Sequence, residues 1–352
     1  MRRDPTERYK HATDLAAEAR RAARTNRGLF APLMLLPLLV GPFVLSNWFL
    51  QAGAEVEYRH PAMGENWLAR VADLPAEEQV KEVEAELAKR NPGLKQAGKA
   101  VIRDGVVREY ELITDAVKDI SPLRGFAGVE KLTLAGSRTA KCNGILTDLS
   151  PLAGMRVKWL SVSWNPDLKD LSPLREVPLE LLNCGECNVS DLSRLNHGTL
   201  KVLVCGFNPI KNLEDLRGMK LEELWCNTTP VRDLGPLAGM PLRELRCQDS
   251  PIESLEPLRG APLDMLECHR TNISEIEALT GNATLGALNL YSTRVADLTP
   301  LKTLPRLRML ALSYNPARDQ LLLGSLAVLE EINGQPAKTF LKNNQVGPAL
   351  LR

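Results

Sequence analysis

Residues 221–262 read LEELWCNTTPVRDLGPLAGMP followed by LRELRCQDSPIESLEPLRGAP, two runs of equal length that fit one template. Leu221, Leu224, Cys226, Thr229, Val231, Leu234 and Leu237 fill the pattern L-x-x-L-x-C/L-x-x-N/T-x-V/I-x-x-L-x-x-L. Leu242, Leu245, Cys247, Ser250, Ile252, Leu255 and Leu258 fill it again 21 positions later. Earlier copies begin at Val157, Leu179 and Leu200, and later ones at Leu263, Leu285 and Leu307. Leu329 opens a truncated unit that runs into EINGQPAKTF. Weaker copies begin at Val129, with an insertion around Gly136 to Gly144, and at Val107, for about ten units in all.

A unit this short cannot bury its own apolar side, so the units must stack. A repeat of 21 to 22 residues belongs to the leucine-rich-repeat class. The fold expected is therefore an α/β-type leucine-rich-repeat solenoid, with parallel strands on a concave face and irregular or 3-10 turns on the convex one. Within each unit the L-x-C/L stretch alternates with period two, which turns the leucines and cysteines inward and the intervening residues outward. The second half of each unit, such as VRDLGPLAGMP, carries apolar residues every third position together with Pro and Gly, as a short 3-10 turn and a chain reversal require. The position held by Asn165, Asn208, Thr229, Ser250, Thr271, Thr293 and Asn315 supplies side chains that can hydrogen-bond the loop backbone between rungs.

Cys184, Cys205, Cys226, Cys247 and Cys268 recur every 21 residues and so share one inward position. In-register parallel neighbours point the same way and make poor disulfide geometry, so the cysteines read as small core residues. Cys184-x-x-Cys187 has the spacing of a metal-ligand pair, but no second pair or suitably spaced His follows. No metal, cofactor or catalytic residue is expected.

The outward positions carry Trp159, Ser161, Trp164, Phe207, Trp225, Asn227, Arg246, Asp249, Glu267, His269, Arg270, Tyr291 and Tyr314. Aromatic and Arg side chains on a rigid surface are the usual carriers of interface energy. Of these, Trp159, Trp164, Phe207, Trp225, Arg246, Asp249, Glu267, His269, Arg270, Tyr291 and Tyr314 form the candidate ligand-binding set. His269 follows Cys268 directly, yet adjacent strand residues face opposite sides of a sheet, so the two cannot act together.

Outside the repeats the chain changes character. Lys and Arg number 44 against 43 Asp and Glu, a balance that does not call for nucleic acid. Residues 1–27 are locally basic, with Arg20, Arg21, Arg24 and Arg27 closing the segment. Gly28 to Ala54 carries no charge, and Leu29 to Leu50 is long enough to cross a hydrocarbon core of about 30 Å as one transmembrane helix. The arginines before it and Glu55 and Glu57 after it keep residues 1–27 cytoplasmic and put the repeats outside, giving a single-pass membrane protein with extracytoplasmic repeats. Ala52-Gly53-Ala54 has the look of a signal cleavage site, but the apolar run is too long and its basic leader too extended for a signal peptide. A linker and N-terminal cap follow over 55–106, where Trp67 to Arg90 reads as an amphipathic helix broken near Pro75 with Val80, Val83 and Leu87 on one face. The repeats occupy 107–333, and 334–352 covers the far end of the stack or frays.

The phrases DLSPLAGM, DLGPLAGM and DISPLRGF resemble the repeats of bacterial leucine-rich-repeat surface proteins of the internalin type. The stretch LPAEEQVKEVEAELAKRNPG with IRDGVVREYELITDAVKDISPL is similar to the leader of a bacterial subgroup whose repeats are often joined to Ser/Thr protein kinases. Residues 4–22, DPTERYKHATDLAAEARRA, resemble the end of a kinase C-lobe through Asp4, Pro5, Arg8 and Tyr9. The resemblance implies recognition of a protein or surface polymer, or alternatively the sensor half of a receptor-like kinase separated from its catalytic domain. Phosphoryl transfer by this chain is not expected, since it has no Gly-rich phosphate loop and no V-A-I-K, H-R-D or D-F-G motif.

Overall fold

Each L-x-L/C segment forms a short strand, and among the described residues successive strands lie side by side in one sheet of thirteen, in strict chain order. The computed structural model describes residues 64–137, 143–195 and 198–344. The sheet opens with β1 (Lys99–Arg103), antiparallel to β2 (Val106–Ile113), and continues in parallel through β3 (Lys131–Ala135), β4 (Trp159–Ser161) and β5 (Leu181–Asn183). Next come β6 (Val202–Val204), β7 (Glu223–Trp225), β8 (Glu244–Arg246), β9 (Met265–Glu267), β10 (Ala287–Leu290) and β11 (Met309–Leu312). Parallel pairing ends at β12 (Glu331–Ile332), which turns back into antiparallel β13 (Gln335–Pro336). Register is fixed by the repeat: Leu203, Leu224, Leu245 and Leu266 are paired in series, and all four are fully buried.

The returning half of most units is a 3-10 turn, as at Ser150–Leu152, Gly235–Leu237 and Glu256–Leu258. An acidic or hydroxyl side chain two residues ahead caps it: Asp148 Oδ1 accepts from Ser150 N at 2.7 Å, Asp233 Oδ1 from Gly235 N at 2.7 Å, and Ser254 Oγ from Glu256 N at 3.1 Å. Gly239 and Gly260 then reverse the chain with φ of +74° and +79°, where a side chain would be strained.

The position expected to bridge rungs does so at Asn165, Asn208 and Ser250. Asn208 Nδ2 donates to the carbonyls of Cys184 in the preceding rung (2.9 Å) and Cys205 in its own (3.0 Å), while its Oδ1 accepts from Val189 N (2.9 Å). Asn165 bonds Leu134 and Val162 in the same manner. Ser250 Oγ donates to Cys226 O of the preceding rung at 3.3 Å and accepts from Thr229 N at 3.1 Å, whereas Thr271 and Thr293 bond Cys268 and Leu290 in their own rungs. Asn315 departs from the expectation: it caps α3 by accepting from Ala317 N, because the last full unit returns through an α-helix instead of a 3-10 turn.

All five ladder cysteines are fully buried, and none forms a disulfide. Cys187 sits off that ladder, its thiol donating to the Val162 carbonyl at 3.2 Å, at the position Asn takes in other rungs.

Both ends of the stack are covered. At the N-terminal end, α1 (Glu65–Ala72) and α2 (Ala76–Arg90) meet at Pro75 and bury Val71, Val83 and Leu87. Arg90 ties the cap to the first turn through Asp119 (3.0 Å), and Asn91 does so through Asp119 O (2.8 Å). At the other end are α3 (Pro316–Gly324) and α4 (Ala337–Asn343), with the Tyr314 and Phe340 rings edge to face at 5.0 Å. The expected membrane segment, 28–54, and the kinase-like stretch, 4–22, lie outside the described residues. Among the described residues no helix is long and apolar enough to cross a membrane.

Candidate functional site

Register turns the outward residues of the sheet into columns. The first runs Trp159, Leu181, Val202, Glu223, Glu244, Met265 and the second Ser161, Asn183, Val204, Trp225, Arg246, Glu267. Past the strand, the seven units that begin at Val157 through Leu285 continue with one more residue and then one in the left-handed region: Trp164, Glu186, Phe207, Thr228, Asp249, Arg270 and Ser292 have φ between 53° and 58°. Their N–H groups keep the stack bonded, Phe207 N donating to Asn227 O at 3.0 Å and Arg270 N to Tyr291 O at 2.9 Å. A left-handed backbone costs a bulky side chain on the order of 1 kcal/mol, so Trp164 and Phe207 stand where local sterics favour Gly or Asn.

The candidate residues separate into two groups. Trp159, Phe207 and Tyr291 are 46%, 53% and 50% exposed. Trp225, Arg246, Asp249, Glu267, His269 and Arg270 instead form a connected cluster across β7 to β9. The Arg246 guanidinium lies 3.9 Å from the Trp225 ring centroid and donates to Glu244 Oε1 at 2.6 Å. Arg270 makes a two-pronged pair with Asp249, with Nη2 to Oδ2 at 2.6 Å, and this raises the affinity of the guanidinium for its proton. Glu267 accepts from Asn289 Nδ2 at 2.9 Å. Burial would push the Glu267 carboxyl up, but His269, Asn289 and Arg246 outweigh it and hold the group below its ordinary range. His269 Nδ1 lies 3.3 Å from Glu267 Oε2. On its other side, Nε2 is 4.0 Å from Asp249 Oδ2.

Two residues are less available than their outward positions suggest. Arg246 is only 7% exposed, because it lies flat between Trp225 and Glu244. Tyr314 is held in the C-terminal cap by Phe340 and by its hydroxyl's bond to Gln320. Two side chains of the cluster, Glu244 and Asn289, lie outside the set expected from the sequence. Each sits in an outward column, but neither is aromatic or cationic, so a search for such anchors passes over them. Gln248 Oε1 and Trp225 Nε1 are both buried without a hydrogen-bond partner.

A second feature of register is a rim of alternating charge one residue after the opening leucine or valine of the units from Val129 to Leu263: Glu130, Lys158, Glu180, Lys201, Glu222, Arg243, Asp264. Glu130 and Lys158 pair at 3.3 Å, Lys201 and Glu222 at 3.9 Å, and Arg243 and Asp264 at 3.6 Å.

Sheet, turns and register together define a leucine-rich-repeat solenoid. Solved structures share the fold: an internalin, InlF, of Listeria monocytogenes is 21% identical, with 74% of this chain and 91% of that one covered and a TM-score of 0.56. Internalin C2 of the same organism is also 21% identical over 66% of this chain and 92% of that one, with a TM-score of 0.45. A leucine-rich-repeat protein of Leptospira interrogans is 19% identical over 60% of this chain and 62% of that one, with a TM-score of 0.43. No family model and no curated protein sequence matches the chain.

Proposed function

We propose that this protein is a non-catalytic, membrane-anchored recognition protein that binds a protein or surface ligand through the open face of its sheet. The observation that carries the reading is the pair Trp164 and Phe207. Backbone conformation disfavours a large ring at both positions, and Phe207 is half exposed as well, so neither local geometry nor the core accounts for it. A surface that uses its rings as contacts does. Trp159 and Tyr291 extend the same exposed aromatic character along the sheet.

Anchoring comes from the uncharged segment 28–54, with the basic residues before it inside and the repeats outside the cytoplasm. The test uses the full chain and its Trp159→Ala/Phe207→Ala variant as baits in an envelope extract of the source cell. A ligand kept by the first and lost by the second, at unchanged melting temperature, supports the reading; equal retention overturns it. Release of the full chain from membranes by a high-salt wash would rule out the anchor.

A further inference from the structure

The N-terminal cap has a pocket of its own. Between α2, the loop that follows it and the Tyr110 side chain of β2 lies a cavity of about 160 Å³, partly open to solvent. Leu87, Ala88 and Leu94 supply its apolar lining, and Leu87 is fully buried. Glu84 and Lys95 bring one charge of each sign into the same lining. A side chain at Gly98 would collide with the Tyr110 ring and hydroxyl, so glycine at this position lets the loop close on that ring.

The two charges are not spent on each other. The Tyr110 hydroxyl donates to Glu84 Oε1 at 3.4 Å. Burial pushes the Glu84 carboxyl above its ordinary range, opposed by Tyr110 and the Gly98 backbone, which are neutral donors. Among the described residues neither Glu84 nor Lys95 takes part in an ion pair, with the other or with any neighbour. A partly desolvated carboxylate without a counter-charge is costly, and a cation arriving beside it offsets that cost.

We propose that this pocket binds a small aliphatic zwitterion of the α-amino acid class, with its ammonium on Glu84, its carboxylate toward Lys95 and its short side chain against Leu87 and Leu94. Size sets the upper limit: a cavity of about 150 Å³ takes a benzene ring, so about six to eight non-hydrogen atoms fit. Charge sets the class. A simple ammonium leaves Lys95 unmatched and puts a like charge beside it, a simple carboxylate does the same to Glu84, and an uncharged molecule of that size answers neither. A ligand with both signs a few bonds apart answers both.

The test is saturation-transfer NMR of the full chain with L-valine, isobutylammonium and 3-methylbutanoate, the last two being valine without its carboxylate and valine without its ammonium. Valine should bind about tenfold more tightly than either, since each charged contact is worth a factor of that order. Glu84→Gln keeps an acceptor for Tyr110 and should cost valine about tenfold, while Lys95→Ala should remove its advantage over isobutylammonium. Ala88→Phe is an exposed change that fills the cavity and leaves both charges in place; it should abolish binding at an unchanged melting temperature. Absence of valine binding to the unaltered chain, equal binding of the three probes, or valine binding that survives Ala88→Phe overturns the proposal. An affinity for valine indifferent to Lys95→Ala overturns it too, because the ligand would then be held as a cation alone.

Discussion

The Arg246 guanidinium stands 3.9 Å from the centre of the Trp225 ring, and the two residues are register partners on neighbouring strands. A cation over an indole face contributes about 1–2 kcal/mol when partly desolvated, and here the cation also holds the Glu244 carboxylate. Arg246→Ala removes both contacts and leaves Glu244 without that counter-charge. Chemical denaturation should show a loss of about 2–3 kcal/mol, accompanied by a change in Trp fluorescence. Arg246→Lys should recover only part of it, since an ammonium lacks the planar stack. Full recovery by Lys would mean that charge alone matters.

Phe207 tests whether the open face carries strain for the sake of contact. At φ 58° Asn is more at ease than Phe, so Phe207→Asn should raise stability by up to about 1 kcal/mol. The same change should weaken ligand binding. A destabilised Phe207→Asn protein in a thermal melt would show that the ring serves packing, and the functional argument built on it would fall.

The repeat made the fold legible before any coordinates, because a 21-residue period admits one way of burying Leu224, Cys226 and Leu245 at once. The return through α3 was not legible, since Asn315-Pro316 reads equally as a turn or as a helix start. At the site, sequence spacing placed Trp225, Arg246 and Glu267 on one face but could not show that Arg246 folds flat onto Trp225. That depends on Glu244, which lies in the same strand as Arg246 and draws the guanidinium sideways. The alternating charge from Glu130 to Asp264 is plain in the sequence once register is known, and obscure before it.

Asn208 links two rungs from inside. Its amide satisfies Cys184 O, Cys205 O and Val189 N, and the residue is buried. Asn208→Ala leaves those backbone groups without partners, for an expected loss of about 3 kcal/mol in urea unfolding. Asn208→Thr should fall between the two, because at the equivalent position Thr229 still bonds the carbonyl of Cys226 in its own rung. If Thr and Ala behave alike, the inter-rung bond and not the local one is what matters.

The cysteine ladder should make the protein sensitive to alkali. Burial pushes the Cys226 thiol up to about 12 from an ordinary 9.0, and burial moves Cys184, Cys205, Cys247 and Cys268 in the same direction. In the unfolded chain these thiols ionise near 9, whereas in the folded chain they stay protonated, so the folded state binds more protons above that pH. The contribution is therefore fully present below pH 9 and is lost as pH climbs toward 12, by roughly 1 kcal/mol per pH unit for each thiol. Urea unfolding under reducing conditions between about pH 8 and pH 10.5 should show the midpoint falling steeply at the upper end. Cys226→Ala/Cys247→Ala should start less stable and fall less steeply, because two of the ionising groups are gone. A slope that is the same in the variant would place the alkaline sensitivity in other groups, and rapid labelling of the native thiols at pH 7.5 would contradict their burial directly.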